Sequence, residues 1–163
     1  EANMALIKYP KPQFSFYDYE FPIYTRQRFL PPSKIQNSTI VESMLSEGCI
    51  IESAVIKHSI VGIRAIIEEG VTIEDSLIMG NDYYKSFKER RLAKDAGDIP
   101  IGIGKNSVIK KAIVDKNARI GEGVHIINKD GVEEGSREED GIFIRDGVII
   151  IAKNVTVPNN TLI

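Results

Sequence analysis

Cys49–Met79 reads CIIESAVIKHSIVGIRAIIEEGVTIEDSLIM. Every sixth residue in it is apolar: Cys49, Val55, Val61, Ile67, Ile73 and Met79. Four positions further on in each hexad stand Ser53, Ser59, Ala65, Val71 and Leu77, all small or aliphatic. A step of six is neither the 3.6 of a helix nor the alternation of a lone strand. It is the hexapeptide repeat of a parallel β-helix, whose short flat faces are separated by turns. Three faces close one coil, so about 18 residues return the chain to the same face one layer up. A branched side chain fills the centre of such a prism, while near a corner only a small one fits.

The rule returns twice. Val108, Val114, Ile120 and Ile126 keep the step, with Ala112, Ala118 and Val124 in the second inward slot. Ile151, Val157 and Ile163 keep it again, with Val155 and Thr161 in that slot. A sandwich of short strands would also be rich in Ile and Val. It would not hold small residues at a fixed offset, so the repeat favours the β-helix.

Composition agrees. The 163 residues fit one domain, or one domain with an extension. The chain has 27 Ile and 11 Val against 6 Leu, a strong β bias. The net charge of −2 carries no global signal for nucleic acid. One Cys, on an inward slot, excludes an intramolecular disulfide and fits a reducing compartment. No apolar run approaches the roughly 18 residues of a membrane span, and no signal peptide is visible. The chain opens at Glu1, so a preceding segment is expected.

In chain order, residues 1–11 are mixed and read as the tail of an upstream helix. Phe14-Ser15-Phe16-Tyr17-Asp18-Tyr19-Glu20-Phe21 is dense in aromatics, and Pro10, Pro12, Pro22, Pro31 and Pro32 keep the region extended. Such a connector should lie against a surface: the side of the β-helix, or another domain in a larger enzyme. Arg26 and Arg28 point to one side if that stretch is extended. Residues 37–79 then wind roughly two coils. Residues 80–100 break the repeat, and YYKSFKERRLAKDA (83–96) reads as a short helix that Gly97 and Pro100 end. It is either a carrier of contacts or a solvated surface helix. Residues 101–127 form a second block, 128–147 an acidic, turn-rich second excursion, and 148–163 a last coil. The end of that coil should expose open backbone and apolar slots, which a partner or a cap must cover.

Three chemistries are open. Hexapeptide-repeat acyltransferases use one His as general base, and His58 and His125 are the candidates, both expected to face outward. A zinc site of three His ligands does not fit a chain with 2 His. The cations offer a third. Lys116 follows the inward Val114 by two residues, and Lys153 follows the inward Ile151 by two. Both therefore face outward near the same kind of corner, about two coils apart by plain counting. Placed beside Arg26 and Arg28 they would form an anion pocket, most naturally for phosphate. Lys57 and Lys110 share the same register and warn that exposed lysines are often simply solvated.

Several longer motifs carry a resemblance. Phe14-Ser15-Phe16-Tyr17-Asp18, Pro22-Ile23-Tyr24-Thr25-Arg26-Gln27-Arg28-Phe29-Leu30-Pro31-Pro32-Ser33-Lys34, His58-Ser59-Ile60-Val61-Gly62 and Met79-Gly80-Asn81-Asp82-Tyr83-Tyr84 resemble the C-terminal part of ADP-glucose pyrophosphorylase (glucose-1-phosphate adenylyltransferase). So do Pro100-Ile101-Gly102-Ile103-Gly104-Lys105-Asn106 and Asp115-Lys116-Asn117-Ala118-Arg119-Ile120-Gly121. The likeness runs the length of the chain and is nearer the cyanobacterial and plastid type than the enteric one. It implies a left-handed β-helix at 35–163, preceded at 1–34 by a connector from an upstream catalytic domain. It implies a tetrameric parent, homo- or hetero-oligomeric, in a bacterial cytoplasm or a plastid stroma. It also implies a regulatory domain that helps bind 3-phosphoglycerate, the activator, and phosphate, the inhibitor. The family's two effector lysines match Lys116 and Lys153, its connector arginine matches Arg28, and its acidic neighbour matches Asp115. Arg26 stands where the family commonly has Gln, which adds a positive charge to the pocket.

What the sequence lacks is equally informative. A sugar nucleotidyltransferase needs a Gly-rich loop for the triphosphate and acidic residues for Mg²⁺. No Gly-x-Gly-Thr-Arg loop is present, and Gly102-x-Gly104-Lys105 lies inside the β-helix and opens no helix. The parent would use Mg²⁺ with ATP, whereas this chain is expected to hold no cofactor and to make no ADP-glucose alone. Neither nucleic acid nor membrane is an expected partner. Three readings remain: a regulatory and oligomerisation domain, an acyltransferase, or a purely structural β-helix.

Overall fold

The computed structural model describes residues 2–8, 17–24 and 26–163. Phe14 and Phe16 of the aromatic run, Pro10, Pro12 and Thr25 lie outside the described residues. The first coil carries β1 (Lys34–Gln36), β2 (Thr39–Val41) and β3 (Met44–Leu45). The second carries β4 (Ile50–Glu52), β5 (Val55–Lys57) and β6 (Ile60–Val61), and the third β7 (Ile66–Ile67), β8 (Thr72–Glu74) and β9 (Leu77–Ile78). Helix α1 (Phe87–Asp95) interrupts, and the fourth coil follows with β10 (Gly102–Ile103), β11 (Val108–Lys110) and β12 (Ala112–Val114). The fifth begins with β13 (Arg119–Ile120) and β14 (His125–Ile126). It detours through β15 (Gly135–Arg137) and β16 (Ile142–Arg145) and closes with β17 (Val148–Ile151). β18 (Thr156–Val157) opens a sixth.

Each coil contributes one strand to each of three sheets, so the sheets run up the three sides of a prism. Their orders are β1-β4-β7-β10-β13-β18, β2-β5-β8-β11-β14 and β3-β6-β9-β12-β17, all parallel. Register stacks like on like. Ile51, Ile67, Ile103, Ile120 and Val157 form one inward column. Ile56, Ile73, Ile109 and Ile126 form the second, and Val61, Ile78, Val114 and Ile151 the third. All are buried. Fully burying one such side chain contributes about 1.5–3 kcal/mol, so the columns are the main source of cohesion.

The strict hexad needs correction. The coil is 16 or 17 residues, not 18, as Ile50↔Ile66 and Val55↔Thr72 show. Residues 34–78 are therefore three coils rather than two. One corner type is a residue shorter than the other. After β1, β2, β4, β5, β8 and β11 a single left-handed residue turns the chain: Asn37, Glu42, Ser53, His58, Asp75 and Lys111, with φ between 43° and 49°. These corners advance the inward position by five. Ile56, Ile78 and Ile109 point inward where the hexad named Val55, Met79 and Val108, and Ala54 and Ser76 take the small slots assigned to Ser53 and Leu77. Met79 is exposed.

Small size is only part of what the slot demands. Ser59 and Ser76 are fully buried at successive tight corners. Ser59 Oγ donates to Lys57 O at 2.7 Å and accepts from Ser76 N–H at 3.1 Å. Ser76 Oγ donates to Glu74 O at 2.6 Å and accepts from Ala112 N–H at 3.2 Å. Ser43 begins the ladder by accepting from Ser59 N–H. Each hydroxyl supplies the partner that an interior backbone amide requires where strand pairing lapses. Cys49 fills a slot at another corner, buried and unpaired with any cysteine. Burial pushes its thiol above the usual range, which leaves it poorly reactive.

The two excursions differ from each other. In the first, Ser86 and Glu89 form a capping box that starts α1. No residue of α1 is buried, yet it does not float. Arg90 Nη2 meets Glu68 Oε1 at 2.7 Å, and Lys94 Nζ bridges Glu68 and Glu122 at 2.8 and 3.0 Å. The second excursion contains more strand than its turn-rich sequence indicates. β15 and β16 pair antiparallel, and β16 pairs antiparallel with β17, so the hairpin covers that sheet's edge. Ile142 enters the core there, which drives the pairing. Ile163 is buried as well rather than presented on an open end.

Among the described residues, the aromatics of the connector do not pack as a strip on the β-helix. Tyr19, Phe21, Tyr24 and Phe29 are 77–92% exposed. No helix of the described residues is long and apolar enough to cross a membrane.

Candidate functional site

One corner of the prism, between the β3-β6-β9-β12-β17 sheet and the β1-β4-β7 sheet, collects most of the predicted site residues. The chain turns here in every coil, and backbone bonds tie each turn to the one below. Arg64 N–H donates to Glu47 O at 3.1 Å, Asn81 N–H to Ile63 O at 2.8 Å, Asn117 N–H to Gly80 O at 3.2 Å and Asn154 N–H to Lys116 O at 3.0 Å. Asn117 and Asn154 both adopt the left-handed conformation (φ 62° and 64°), which Asn tolerates well. Lys116 and Lys153 each precede one of them. They therefore occupy the same place in neighbouring coils, about 4.8 Å apart along the edge. The expected separation of two coils is one coil, because β15 and β16 are inserted between them.

Both lysines close on Asp82, at the root of the first excursion. Lys116 Nζ lies 3.0 Å from Asp82 Oδ1 and Lys153 Nζ lies 2.8 Å from Oδ2. Asn117, 5% exposed, locks the arrangement. Its Nδ2 donates to Asp82 Oδ2 at 3.0 Å and to Asn154 Oδ1 at 3.1 Å, and its Oδ1 accepts from Asp82 N–H at 2.8 Å. Hydrogen bonds from Lys153, Lys116 and Asn117 hold the Asp82 carboxyl far below the usual carboxylate range. The same Asp82 carboxylate raises the ammonium of Lys153. The two ammoniums are thus spaced to take two oxygens of one anion, a carboxylate or a phosphate. Asp115 faces its own turn: its Oδ1 accepts from Lys116 N–H at 2.6 Å.

Arg26 and Arg28 are exposed and lie on the same edge, nearer its start, in a recess lined by Leu30, Ser46, Glu47 and Ile63. They stand in the layers of the first two coils, whereas Lys116 and Lys153 are in the fourth and fifth. Arg64 and Tyr84 occupy the space between. The Arg64 guanidinium sits 5.8 Å over the Tyr84 ring, Tyr84 Oη donates to Gly48 O at 2.8 Å, and Asn81 Nδ2 donates to Arg64 O at 2.7 Å. Asp82, Asn117 and Arg64 are not among the candidates that the sequence singles out. A coil of 16 or 17 residues, counted from Gly48, places Arg64 and then Asn81 in the column that Asn117 and Asn154 continue, next to the column of the lysines.

The other candidates lie elsewhere. Lys57 and Lys110 flank Glu74 on the β2-β5-β8-β11-β14 face, at 3.8 and 2.8 Å. His58 Nδ1 is 2.6 Å from Asp75 Oδ1 at a tight corner, and His125 is exposed on β14. The two histidines share no site. A cleft of about 230 Å³ opens beneath α1, but Arg90 and Lys94 there are already paired with Glu68 and Glu122. No group of three His, Cys, Asp or Glu among the described residues could hold a metal ion.

Comparison with known families adds one finding. The model of the GLGC left-handed parallel beta-helix domain matches residues 28–162, from the end of the connector through every coil. The chain therefore belongs to this family, the C-terminal domain of ADP-glucose pyrophosphorylase, and the prism is a left-handed β-helix.

Proposed function

We propose that this member of the GLGC β-helix family is the regulatory and oligomerisation domain of a glucose-1-phosphate adenylyltransferase. The parent would join ATP and glucose 1-phosphate into ADP-glucose and diphosphate, for glycogen or starch. The domain contributes part of an effector site for phosphate and 3-phosphoglycerate, built on Lys116, Lys153, Arg28, Arg26 and Asp115. The observation that carries this reading is the pairing of Lys116 and Lys153 on one carboxylate, along an edge that also bears the connector arginines.

The chemistry follows from the layout. A phosphoryl group offers several charge-assisted acceptors to ammonium and guanidinium groups. An effector spanning the edge would tie the coils to the connector, and the connector leads to the catalytic domain. An anion that binds one arrangement of connector and β-helix better than another shifts the equilibrium between them, which is the requirement for allosteric coupling. The exposed aromatics of the connector would pack on the catalytic domain or a neighbouring subunit. Mg²⁺ would serve ATP in the catalytic domain, and no step here passes through it.

Thermal unfolding of the chain against phosphate and 3-phosphoglycerate tests the site. A ligand at 100 times its Kd stabilises by roughly 2.7 kcal/mol. The shift should be present in the unsubstituted chain and lost in Lys116→Ala and Lys153→Ala. A shift that survives both substitutions would place the anion elsewhere.

A further inference from the structure

The anion site leaves the role of Asp82 open, and any role for Asp82 in binding rests on that site. Asp82 is no incidental surface acid. Its backbone N–H and its Oδ2 are both held by the buried Asn117. Its stem leaves the coil through Gly80, at φ 80°, where a Cβ would strike Ile63 O. The carboxylate is therefore presented on a rigid support, and its two oxygens take one lysine each. An incoming phosphate needs the same two Nζ atoms, so the two anions exclude each other.

We propose that Asp82 is a built-in competitor, a carboxylate of the chain seated where the effector anion binds, which sets the affinity of the site. Its side chain is 37% exposed, so an anion reaches it from solvent and need not open the core. The single charge of Asp82 also sets a threshold. A dianionic phosphate group displaces it on Coulombic grounds more readily than a monocarboxylate does. The site thereby favours phosphate esters over simple carboxylic acids.

The Glu74 cluster supplies an internal control, because it has the same Lys–carboxylate–Lys order without the Asn lock or the neighbouring arginines. Inorganic phosphate is titrated calorimetrically into the chain, Asp82→Asn, Asp82→Ser, Glu74→Gln, and Asp82→Asn combined with Lys116→Ala. Unfolding midpoints without ligand confirm that each variant is folded, and Asp82→Ser serves if Asp82→Asn is not. Loss of two exposed pairs should tighten phosphate binding roughly three- to tenfold in either Asp82 variant. Glu74→Gln should leave it unchanged. Equal or weaker binding by both Asp82 variants, with Lys116→Ala still abolishing it, overturns the competitor and leaves the site standing. Undiminished binding in the combined variant, or no binding by any chain, overturns both.

Discussion

Lys153 stands directly above Lys116 on one edge of the prism, with Asn154 N–H donating to Lys116 O at 3.0 Å and Asp82 bridging the two ammoniums. The residues between them in sequence form β13, β14, the β15–β16 hairpin and β17, yet the coil returns the chain to the same corner. A parallel β-helix places such pairs reliably, because register fixes the layer and the turn type fixes the direction. The site is thus a consequence of the fold.

The corrected register makes a sharp prediction about the core. Ile56 is 0% exposed, while its neighbour Val55 is only half-buried. Ile56→Ala should cost about 2–5 kcal/mol by urea unfolding, as large-to-small core changes do. Val55→Ala should cost less than about 1 kcal/mol, since it removes a side chain only partly withdrawn from water. The opposite order would restore the strict hexad.

The serine ladder predicts that size alone does not satisfy the tight corner. Ser76→Ala removes the acceptor for Ala112 N–H, which is buried. The orphaned amide should cost about 1–3 kcal/mol. Ser38 stands at the other tight corner, between β1 and β2 in the exposed first coil, where its hydroxyl donates to Gln36 O and accepts from Ala54 N–H in the same way. Water can reach that corner, so Ser38→Ala should cost less. Equal costs would reduce the slot to sterics.

Acid should expose the contribution of Asp82. Its folded-state pKa lies below the unfolded value of about 3.9. Its stabilisation is therefore fully present above that value and is lost as pH falls below it. Asp82→Asn should show a shallower fall in urea midpoint than the unsubstituted chain as pH drops from about 5 to about 3. Parallel curves would mean that the two lysine contacts contribute nothing in solution. At the alkaline end the sign reverses. Lys153 is raised by Asp82, so its contribution is complete below the unfolded lysine value near about 10.4 and fades above it.

Much of the fold is legible in the sequence. A small residue at a fixed offset from a branched one identifies the β-helix, and both interruptions of the period are visible. The step of five is not, because apolar neighbours hide it: Val55 beside Ile56, Val108 beside Ile109 and Ile78 beside Met79 satisfy either register. Lys116 and Lys153 can be paired because each follows an inward residue by two. Asp82 cannot, since it lies where the period stops and only the fold returns Gly80 to that edge. Phe143 and its isoleucine neighbours read as part of a turn-rich loop, because a hairpin that caps a sheet has no hexapeptide signal.

An effector anion at the Asp82 corner should be seen directly in the backbone amide resonances during titration with 3-phosphoglycerate, feasible for a chain of 18.2 kDa. Binding there predicts saturable shifts at Asp82, Lys116, Asn117 and Lys153, with Lys57, Glu74 and Lys110 unmoved. Shifts of equal size at both lysine clusters, or none at the Asp82 corner, would contradict it.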